Sequence, residues 1–248
     1  MKISATFLAC KRIVPAIKKL SLTDTDYIHV DVIDNKFVKG KKIPLRKLKK
    51  IYKYTSKRLD VHLMVKRPKR YIKKFATMNT EFITLHVELE KKLEKYIEYI
   101  QSYGLKAGLA ISPDTDISKL EPYIDKISLV LVLGVQPGYG GQAFIEKTIE
   151  RVQEVKKLIE EKKPSVLISV DGGINEEVFM KLPEVDILTV GSYITSNKNY
   201  QEQITKLRNL KQKEKDSTEW CEPQFGDIIK KLEYIKKRKV DIYFSLFV

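Results

Sequence analysis

The sequence predicts an α/β protein made of a single (β/α)8 TIM barrel over residues 1–210 and a C-terminal extension over residues 211–248. Segments with strand character and segments with helix character alternate about eight times, which is typical of this barrel. The strand segments are nearly continuous apolar runs, as expected for parallel strands covered on both faces. A length of 248 residues fits one such barrel.

Local sequence signals place the elements in chain order. Strands are predicted over residues 2–8, 27–34, 59–65, 81–88, 106–112, 127–135, 166–173 and 185–191. Helices are predicted over residues 12–20, 45–54, 91–103, 117–124, 145–161, 176–181 and 200–213, with one more beginning near residue 68. Pro68 suits the first turn of its helix, and Gly104 is typical of the position after a helix C-terminus.

The chain is strongly basic, with 47 lysine and arginine residues against 32 acidic residues and a net charge of +15. Such a charge can serve binding to nucleic acid or to another polyanion. The basic residues are spread along the predicted helices, however, and no basic motif with interleaved aromatic residues is present. We therefore expect a lysine-rich surface without a specific nucleic-acid partner.

The sequence gives no sign of a membrane or secretory protein. No apolar run is long enough to cross a bilayer, and the N-terminal residues lack the apolar core of a signal peptide. Cys10 and Cys221 are far apart and form no CxxC pair, so a disulfide framework is not expected. These observations predict a cytoplasmic protein with no membrane partner.

Histidine and aspartate residues interrupt three of the apolar strands. His29 and Asp31 are two residues apart in one strand, so their side chains project to the same face. His62 lies in the next strand and Asp171 in the seventh, and barrel active sites are built at the carboxyl ends of the strands. We expect these four side chains to converge. Two histidines and two carboxylates suit a divalent ion such as zinc, iron(II), manganese or cobalt.

The third histidine of the chain, His86, lies in the fourth predicted strand. A single histidine in a strand is more often a hydrogen-bonded core residue than a metal ligand. No aspartate follows His86 two residues further on. We therefore expect His86 to be structural or to support the residues of the site.

Glycine-rich turns follow the last three predicted strands. They contain Gly138, Tyr139, Gly140 and Gly141 after the sixth strand, Gly172 and Gly173 after the seventh, and Gly191 and Ser192 after the eighth. Barrels often bind phosphate in the loops after strands seven and eight, through backbone N–H groups that glycine leaves accessible. Together the turns predict a phosphorylated small-molecule substrate.

Five runs in this order, YIHVDVID, LDVHLMV, QPGYGGQ, ISVDGGIN and LTVGS, resemble ribulose-phosphate 3-epimerase. The resemblance covers about residues 2–194. It implies metal-dependent epimerisation of D-ribulose 5-phosphate at carbon 3 to D-xylulose 5-phosphate, a step of the pentose phosphate pathway. By this resemblance His29, Asp31, His62 and Asp171 hold the metal. Asp31 accepts the proton and Asp171 donates one, through an enediolate.

The resemblance also implies which residues contact the substrate. They are Thr6, His29, His62, Met64, Gly138, Tyr139, Gly140, Gly141, Gly172, Gly173, Gly191 and Ser192. Thr6 stands where the family has serine, which keeps the hydroxyl group. Met64 is kept, but Ile33 and Leu133 stand where methionine is usual. Asn35 replaces a glycine, and asparagine tolerates a left-handed turn.

Two alternatives stay open at this point. The lost methionines alter the apolar cover of the reactive centre, so the substrate of an otherwise unchanged site could be a hexulose 6-phosphate such as allulose 6-phosphate. From another class, a catalytically retired barrel would bind polyanions through its basic surface. The presence of both histidines and both aspartates argues against this second alternative.

The C-terminal extension lies outside the resemblance. Residues 227–239 have apolar residues at helical spacing, and residues 240–248 are apolar and aromatic. An exposed segment of this kind would be prone to association. We therefore expect it to pack on the barrel or on a partner chain, and the second arrangement would make the protein a homo-oligomer.

Overall fold

Eight parallel strands close into a barrel in a computed structural model that describes residues 1–48, 50–90 and 92–210. Each strand pairs with the next along the chain, and β8 pairs with β1. The strands are β1 Lys2–Thr6, β2 Tyr27–Ile33, β3 Arg58–Met64, β4 Thr80–His86, β5 Lys106–Ile111, β6 Leu129–Leu133, β7 Leu167–Asp171 and β8 Ile187–Val190. The predicted (β/α)8 barrel is confirmed.

Helices connect successive strands. The α-helices are α1 Ile13–Ser21, α2 Leu45–Leu48, α3 Lys69–Phe75, α4 Leu93–Gln101, α5 Thr148–Lys162, α6 Glu176–Lys181 and α7 Ser192–Thr195. Three 3-10 helices span Ile51–Lys53, Val87–Leu89 and Ile117–Lys126. The described residues from 200 to 210 are also helical.

The predicted elements are correct in kind and order, but several bounds and one helix type are wrong. The predicted helix over residues 45–54 is a short α-helix and a separate 3-10 turn. The segment predicted as helix over residues 117–124 is a 3-10 helix containing Pro122, which has no N–H to donate to an α-helical bond. The short helix α7 was not predicted.

Contacts divide the chain into two compact units, Met1–Ile204 and Thr205–Val248. The barrel belongs to the first unit. The C-terminal extension predicted over residues 211–248, and the end of the helix predicted over residues 200–213, lie outside the described residues. In the part of the chain that is described, no helix has both the length and the apolar character needed to cross a membrane.

An apolar layer fills the barrel near the amino ends of the strands. Tyr27, Phe82, Leu129 and Ile187 come from the four even-numbered strands and are at most 2% exposed. The rings of Tyr27 and Phe82 meet edge to face, with centroids 5.7 Å apart. Such layers of side chains from alternate strands are typical of this barrel. The layer closes one end of the interior to water.

Towards the carboxyl ends of the strands the interior becomes polar. Ser4 donates a hydrogen bond of 2.8 Å to Asp60, and His29 lies 2.8 Å from the same carboxylate oxygen. All three residues are at most 1% exposed. Burial of an unpaired polar group costs several kcal/mol. Polar side chains at this depth therefore indicate a functional site and not only packing.

We predict that Phe82→Ala lowers the free energy of unfolding by about 3–5 kcal/mol, because the change leaves a cavity in the apolar layer. Urea denaturation of the two proteins measures the difference. Leu22→Ala is the matched control, since Leu22 is 89% exposed and its truncation leaves no cavity. Equal effects of the two substitutions would contradict the role of this layer.

Candidate active site

Four side chains that the sequence singled out meet at the carboxyl ends of the strands. His29, Asp31, His62 and Asp171 each offer one ligand atom, and these atoms lie within 4.8 Å of one another. Asp31 and His62 are direct neighbours in the register of β2 and β3. Asp171 ends β7 and approaches from the opposite side of the barrel. The predicted convergence of these four residues is therefore present.

The ring of His29 is held from behind by Asp60. Nδ1 of His29 lies 2.8 Å from Oδ2 of Asp60, so an N–H at Nδ1 can donate to this carboxylate. Nε2 then faces the cluster, 3.3 Å from Asp31 and 3.8 Å from Asp171, with no hydrogen-bond partner. Burial opposes a charge on His29, but Asp60 and Asp31 outweigh it and raise the pKa of His29 well above its usual range.

The ring of His62 has a similar arrangement with the two nitrogens exchanged. Nε2 of His62 lies 2.9 Å from Nε2 of His86. Nδ1 faces Asp31 at 3.4 Å and has no hydrogen-bond partner. Both histidines therefore direct an unpartnered ring nitrogen into the cluster.

The two carboxylates of the cluster have opposite electrostatic environments. Burial disfavours the charged form of Asp31, but His29 and His62 outweigh it and hold its pKa well below the usual range. Thr6 also donates a hydrogen bond of 2.7 Å to Asp31. Burial raises the pKa of Asp171 to about 7, with Asp31 and Asp60 adding to the effect and His29 opposing it. At neutral pH Asp31 is ionised, and Asp171 is close to half protonated.

These residues fit a divalent cation. Among the described residues, Nε2 of His29 and Nδ1 of His62 are buried without a hydrogen-bond partner, and the two carboxylates complete an N2O2 set. A metal ion would displace the proton that the raised pKa of His29 retains in its absence. Metal-binding histidines usually donate their other ring N–H to a carboxylate or carbonyl group, as His29 can to Asp60. The geometry therefore supports the predicted ligand set.

A cavity opens above the cluster towards the loops at the carboxyl ends of the strands. Its walls include eleven of the twelve predicted substrate-binding residues, namely Thr6, His62, Met64, Gly138, Tyr139, Gly140, Gly141, Gly172, Gly173, Gly191 and Ser192. His29 is the exception, because it is fully buried beneath the cavity and does not line it. Its predicted direct contact with substrate therefore gains no support from the geometry.

Other residues of the cavity wall were not predicted as binding residues. They are Leu8, Ala9, Leu133, Val135, Gln136, Pro137, Gln142 and Ile174. Most of them flank predicted glycine turns, so the position of the turns was a usable signal. Leu133, which stands in place of a family methionine, contributes directly to the apolar wall. Ile33 is 2% exposed and is not part of the wall.

The turn after β7 requires its glycines. Gly172 and Gly173 have φ values of 106° and 70°, which side chains other than glycine rarely adopt. A Cβ atom at Gly173 would also lie 2.6 Å from the backbone of Phe144. The backbone is therefore exposed to the cavity without side chains in the way.

The loops after β1, β2 and β6 are joined to one another over the cavity. Nζ of Lys41 donates to the carbonyl groups of Leu8 and Cys10 at 2.6 and 2.7 Å, and the N–H of Lys41 donates to Gly138 at 2.9 Å. Asn35 adopts a φ of 61°, a left-handed conformation that asparagine tolerates.

Comparison with known proteins decides the family. The sequence pattern of the ribulose-phosphate 3 epimerase family matches residues 2–195. The chain belongs to this family. Ribulose-phosphate 3-epimerase of Helicobacter pylori strain J99 is 32% identical over 214 residues, which are 86% of this chain and 99% of that protein. The Bacillus subtilis ribulose-phosphate 3-epimerase is 35% identical over 79% of this chain and 91% of its own.

Solved structures show the same fold at low sequence identity. A structure of KGPDC from Streptococcus mutans has a TM-score of 0.61 and 16% identity, covering 84% of this chain and 95% of that one. A tryptophan synthase alpha-subunit from Pyrococcus furiosus has a TM-score of 0.61 and 14% identity, covering 84% and 96%. These likenesses concern the barrel alone. The epimerase resemblance in the five sequence runs is confirmed by the family match.

Sequence reasoning missed two carboxylates of the ribulose-phosphate 3-epimerase site. Asp60 precedes His62 by two residues in the same strand and holds His29. Glu88 follows His86 by two residues, and its carboxylate lies 3.0 Å from Nδ1 of His86. The same two-residue spacing that singled out His29 and Asp31 would have found both. The residue two positions after His86 is a glutamate, whose carboxylate pairs with a histidine as an aspartate would.

We predict that Asp171 contributes a loss of stability to the metal-free protein as the pH rises from 5 to 6. The unfolded chain ionises Asp171 near its usual pKa of 3.8, whereas the folded chain keeps the proton up to about pH 7. At this residue the folded state therefore binds more protons in this window, and the contribution of Asp171 to the free energy of unfolding falls by at most about 1.4 kcal/mol per pH unit.

Urea denaturation of chelator-treated protein at both pH values measures this loss. The pKa of Asp31 is lowered, so that group stays ionised in both states and does not contribute. Asp171→Asn is the matched variant, because the amide cannot ionise. An equal pH dependence in the variant and the parent protein would contradict the assignment to Asp171.

Proposed function

We propose that this chain epimerises D-ribulose 5-phosphate to D-xylulose 5-phosphate with the help of a divalent metal ion held by His29, Asp31, His62 and Asp171. The observation that carries the proposal is the cluster itself, in which two carboxylates from opposed strands and two histidine nitrogens lie within 4.8 Å of one another. Relatives in this family that bear the name ribulose-phosphate 3-epimerase support the choice of substrate.

Inversion at carbon 3 requires one group to remove a proton and another to return one from the opposite face. Asp31, which is ionised, takes the proton from carbon 3, and the electron pair of the C–H bond moves into an enediolate. Asp171, which approaches from the opposite side of the barrel, delivers a proton to the other face of carbon 3. In the reverse reaction the two residues exchange roles.

The enediolate carries negative charge that has to be stabilised. A divalent ion held by His29, Asp31, His62 and Asp171 would stabilise this charge as a Lewis acid. His29 and His62 would each offer a ring nitrogen to the ion, and Thr6 fixes Asp31 through its hydroxyl group. The buried setting strengthens each of these interactions, because little water screens them.

The remaining cavity residues position the sugar phosphate. The backbone of Gly172 and Gly173 and the Gly191–Ser192 turn line the side on which barrels commonly bind phosphate. Met64, Leu133 and Val135 provide an apolar wall that keeps water from the reacting carbon. The basic surface of the chain attracts the phosphate dianion by long-range electrostatics.

The hexulose 6-phosphate alternative stays open, because Leu133 occupies the cavity wall where methionine is usual in the family. The retired barrel has less support, since the four residues of the cluster are in place with suitable spacing. A cytoplasmic location, a homo-oligomeric state and packing of the extension on the barrel or on a partner chain stay predictions from the sequence.

We predict that the protein incorporates deuterium at carbon 3 of D-ribulose 5-phosphate in heavy water, with formation of xylulose 5-phosphate. NMR of the sugar measures both, and a chelator-treated sample should lose the activity and recover it on addition of manganese or zinc. Exchange with only allulose 6-phosphate would change the substrate. No exchange with either sugar by folded, metal-loaded protein would overturn the epimerase proposal.

We predict that Asp171→Asn lowers kcat by at least about 100-fold, because general acid–base groups contribute about 100- to 10,000-fold. The assay uses metal-loaded protein, with circular dichroism to verify the fold. Asp125→Asn is the control, since Asp125 is exposed and lies before β6 at the other end of the barrel. Activity of Asp171→Asn within a few-fold of the parent would refute the two-aspartate assignment.

A further inference from the structure

We propose that His86 and Glu88 are positioning residues that fix the tautomer and the ring orientation of His62, so that its Nδ1 lone pair points at the metal site. This inference rests on the proposed function, because it assigns a task in the same site. Neither residue lines the cavity, and neither belongs to the four-residue cluster.

The three side chains form a continuous hydrogen-bonded chain. Nε2 of His62 lies 2.9 Å from Nε2 of His86, and Nδ1 of His86 lies 3.0 Å from Oε2 of Glu88. The two imidazole planes differ by 19° and their centroids are 4.9 Å apart, as expected for rings joined edge to edge through their nitrogens. Both rings are at most 1% exposed.

The contacts of Glu88 determine which atom donates in each hydrogen bond between these three side chains. Its other oxygen, Oε1, accepts from the N–H of Ser112 at 2.9 Å and from the hydroxyl group of Thr115 at 2.6 Å. An ionised carboxylate only accepts hydrogen bonds, and the two donors on Oε1 stabilise the ionised form of Glu88. Oε2 of Glu88 therefore accepts from Nδ1–H of His86.

A neutral imidazole carries one proton, so a donating Nδ1 leaves Nε2 of His86 as an acceptor. The ring of His86 is fully buried, an environment that disfavours a charged imidazole. Nε2 of His62 then has to donate the hydrogen bond between the rings. The only tautomer of neutral His62 that satisfies this leaves Nδ1 unprotonated and directed towards Asp31.

Contacts with neighbouring residues hold His86 and Glu88 in place. Arg151 on α5 is 8% exposed and donates to the carbonyl groups of Ser112 and Thr115, at 3.2 and 2.6 Å. It thus holds the loop after β5 that provides both donors to Glu88. Phe37, from the loop after β2, packs against the ring of His86 with centroids 4.9 Å apart. The support of His62 thereby extends to two loops of the barrel mouth.

The rings of His29 and His62 are both oriented by a carboxylate, but the carboxylate contacts one ring directly and the other indirectly. His29 is backed directly by Asp60, a residue that is 1% exposed. His62 reaches a carboxylate only through a second imidazole, and the side chain of Glu88 is 22% exposed. A metal-binding histidine held by a carboxylate has a fixed tautomer and a more basic ligand nitrogen.

Glu88→Gln tests the proposal with almost no change in shape. The amide oxygen would accept from Ser112 and Thr115, which leaves the amide NH2 group facing Nδ1 of His86. Because that group only donates, His86 would have to place its proton on Nε2 and donate to His62. His62 would then carry its proton on Nδ1, and the lone pair aimed at the metal would be lost.

Nitrogen-15 NMR of the histidine rings in the metal-free protein reads the tautomer directly. We expect Nε2–H at His62 in the parent protein and Nδ1–H in Glu88→Gln. A parent protein with Nδ1–H at His62, or a variant with an unchanged tautomer, would overturn the proposal. The parent measurement decides the matter even if the variant fails to fold.

Titration with zinc or manganese supplies a second readout. We expect Glu88→Gln to bind the metal about 10- to 100-fold more weakly, as is usual when the partner of a ligand histidine is lost. Glu90→Gln is the matched control, since Glu90 pairs with Lys119 on the surface and should leave affinity unchanged. Equal affinities of parent and Glu88→Gln would refute a positioning role.

The two tests keep this inference separate from the proposed function. If the parent protein has the expected His62 tautomer but binds no metal, the metal is removed from the proposed mechanism and the positioning role of His86 and Glu88 is kept. If it epimerises and binds metal with His62 in the other tautomer, the positioning role is rejected and the proposed function is kept.

Discussion

The contact between His29 and Asp60 is the interaction on which the rest of the site depends. It places a carboxylate and an imidazole in the centre of the barrel, where neither would be stable alone. Ser4 below and Asp31 above are arranged around this pair. β8 pairs with β1, with Ser4 beside Thr189. This pairing closes the barrel around the polar residues. The fold therefore supplies both the shielding and the partners that these charges need.

The charges of the interior are distributed unevenly, and this has a chemical use. Asp31 lies between both histidines, whereas among the described residues Asp171 has one close histidine, His29, at 3.8 Å. In the metal-free protein Asp31 is therefore anionic near neutral pH and Asp171 is close to half protonated. Two identical residue types thus acquire the different proton affinities that an acid and a base require. The difference comes from neighbours and not from the depth of burial.

Much of this architecture is present in the sequence. Apolar runs of seven to nine residues predict the strands, and the spacing of His29 and Asp31 predicts a shared polar face. The link between His62 and His86 was out of reach, because His62 is in register with Thr84 and meets His86 only through the tilt of the strands. Helix type was also missed where Pro122 interrupts the α-helical pattern. The contact between His62 and His86 depends on barrel closure, which local patterns do not encode, whereas Pro122 was a local signal that could have been used.

The joined loops over the cavity limit how this pocket can be reshaped. Lys41 holds carbonyl groups of the β1 loop and a carbonyl group of the β6 loop, and a Cβ atom at Gly40 would lie 2.2 Å from Gly138. A change in one loop therefore disturbs two others, far apart in the sequence. Leu133, by contrast, lies on a strand and contributes only its side chain to the wall. Engineering a different sugar specificity would accordingly begin in the strands, with the loops left as a unit.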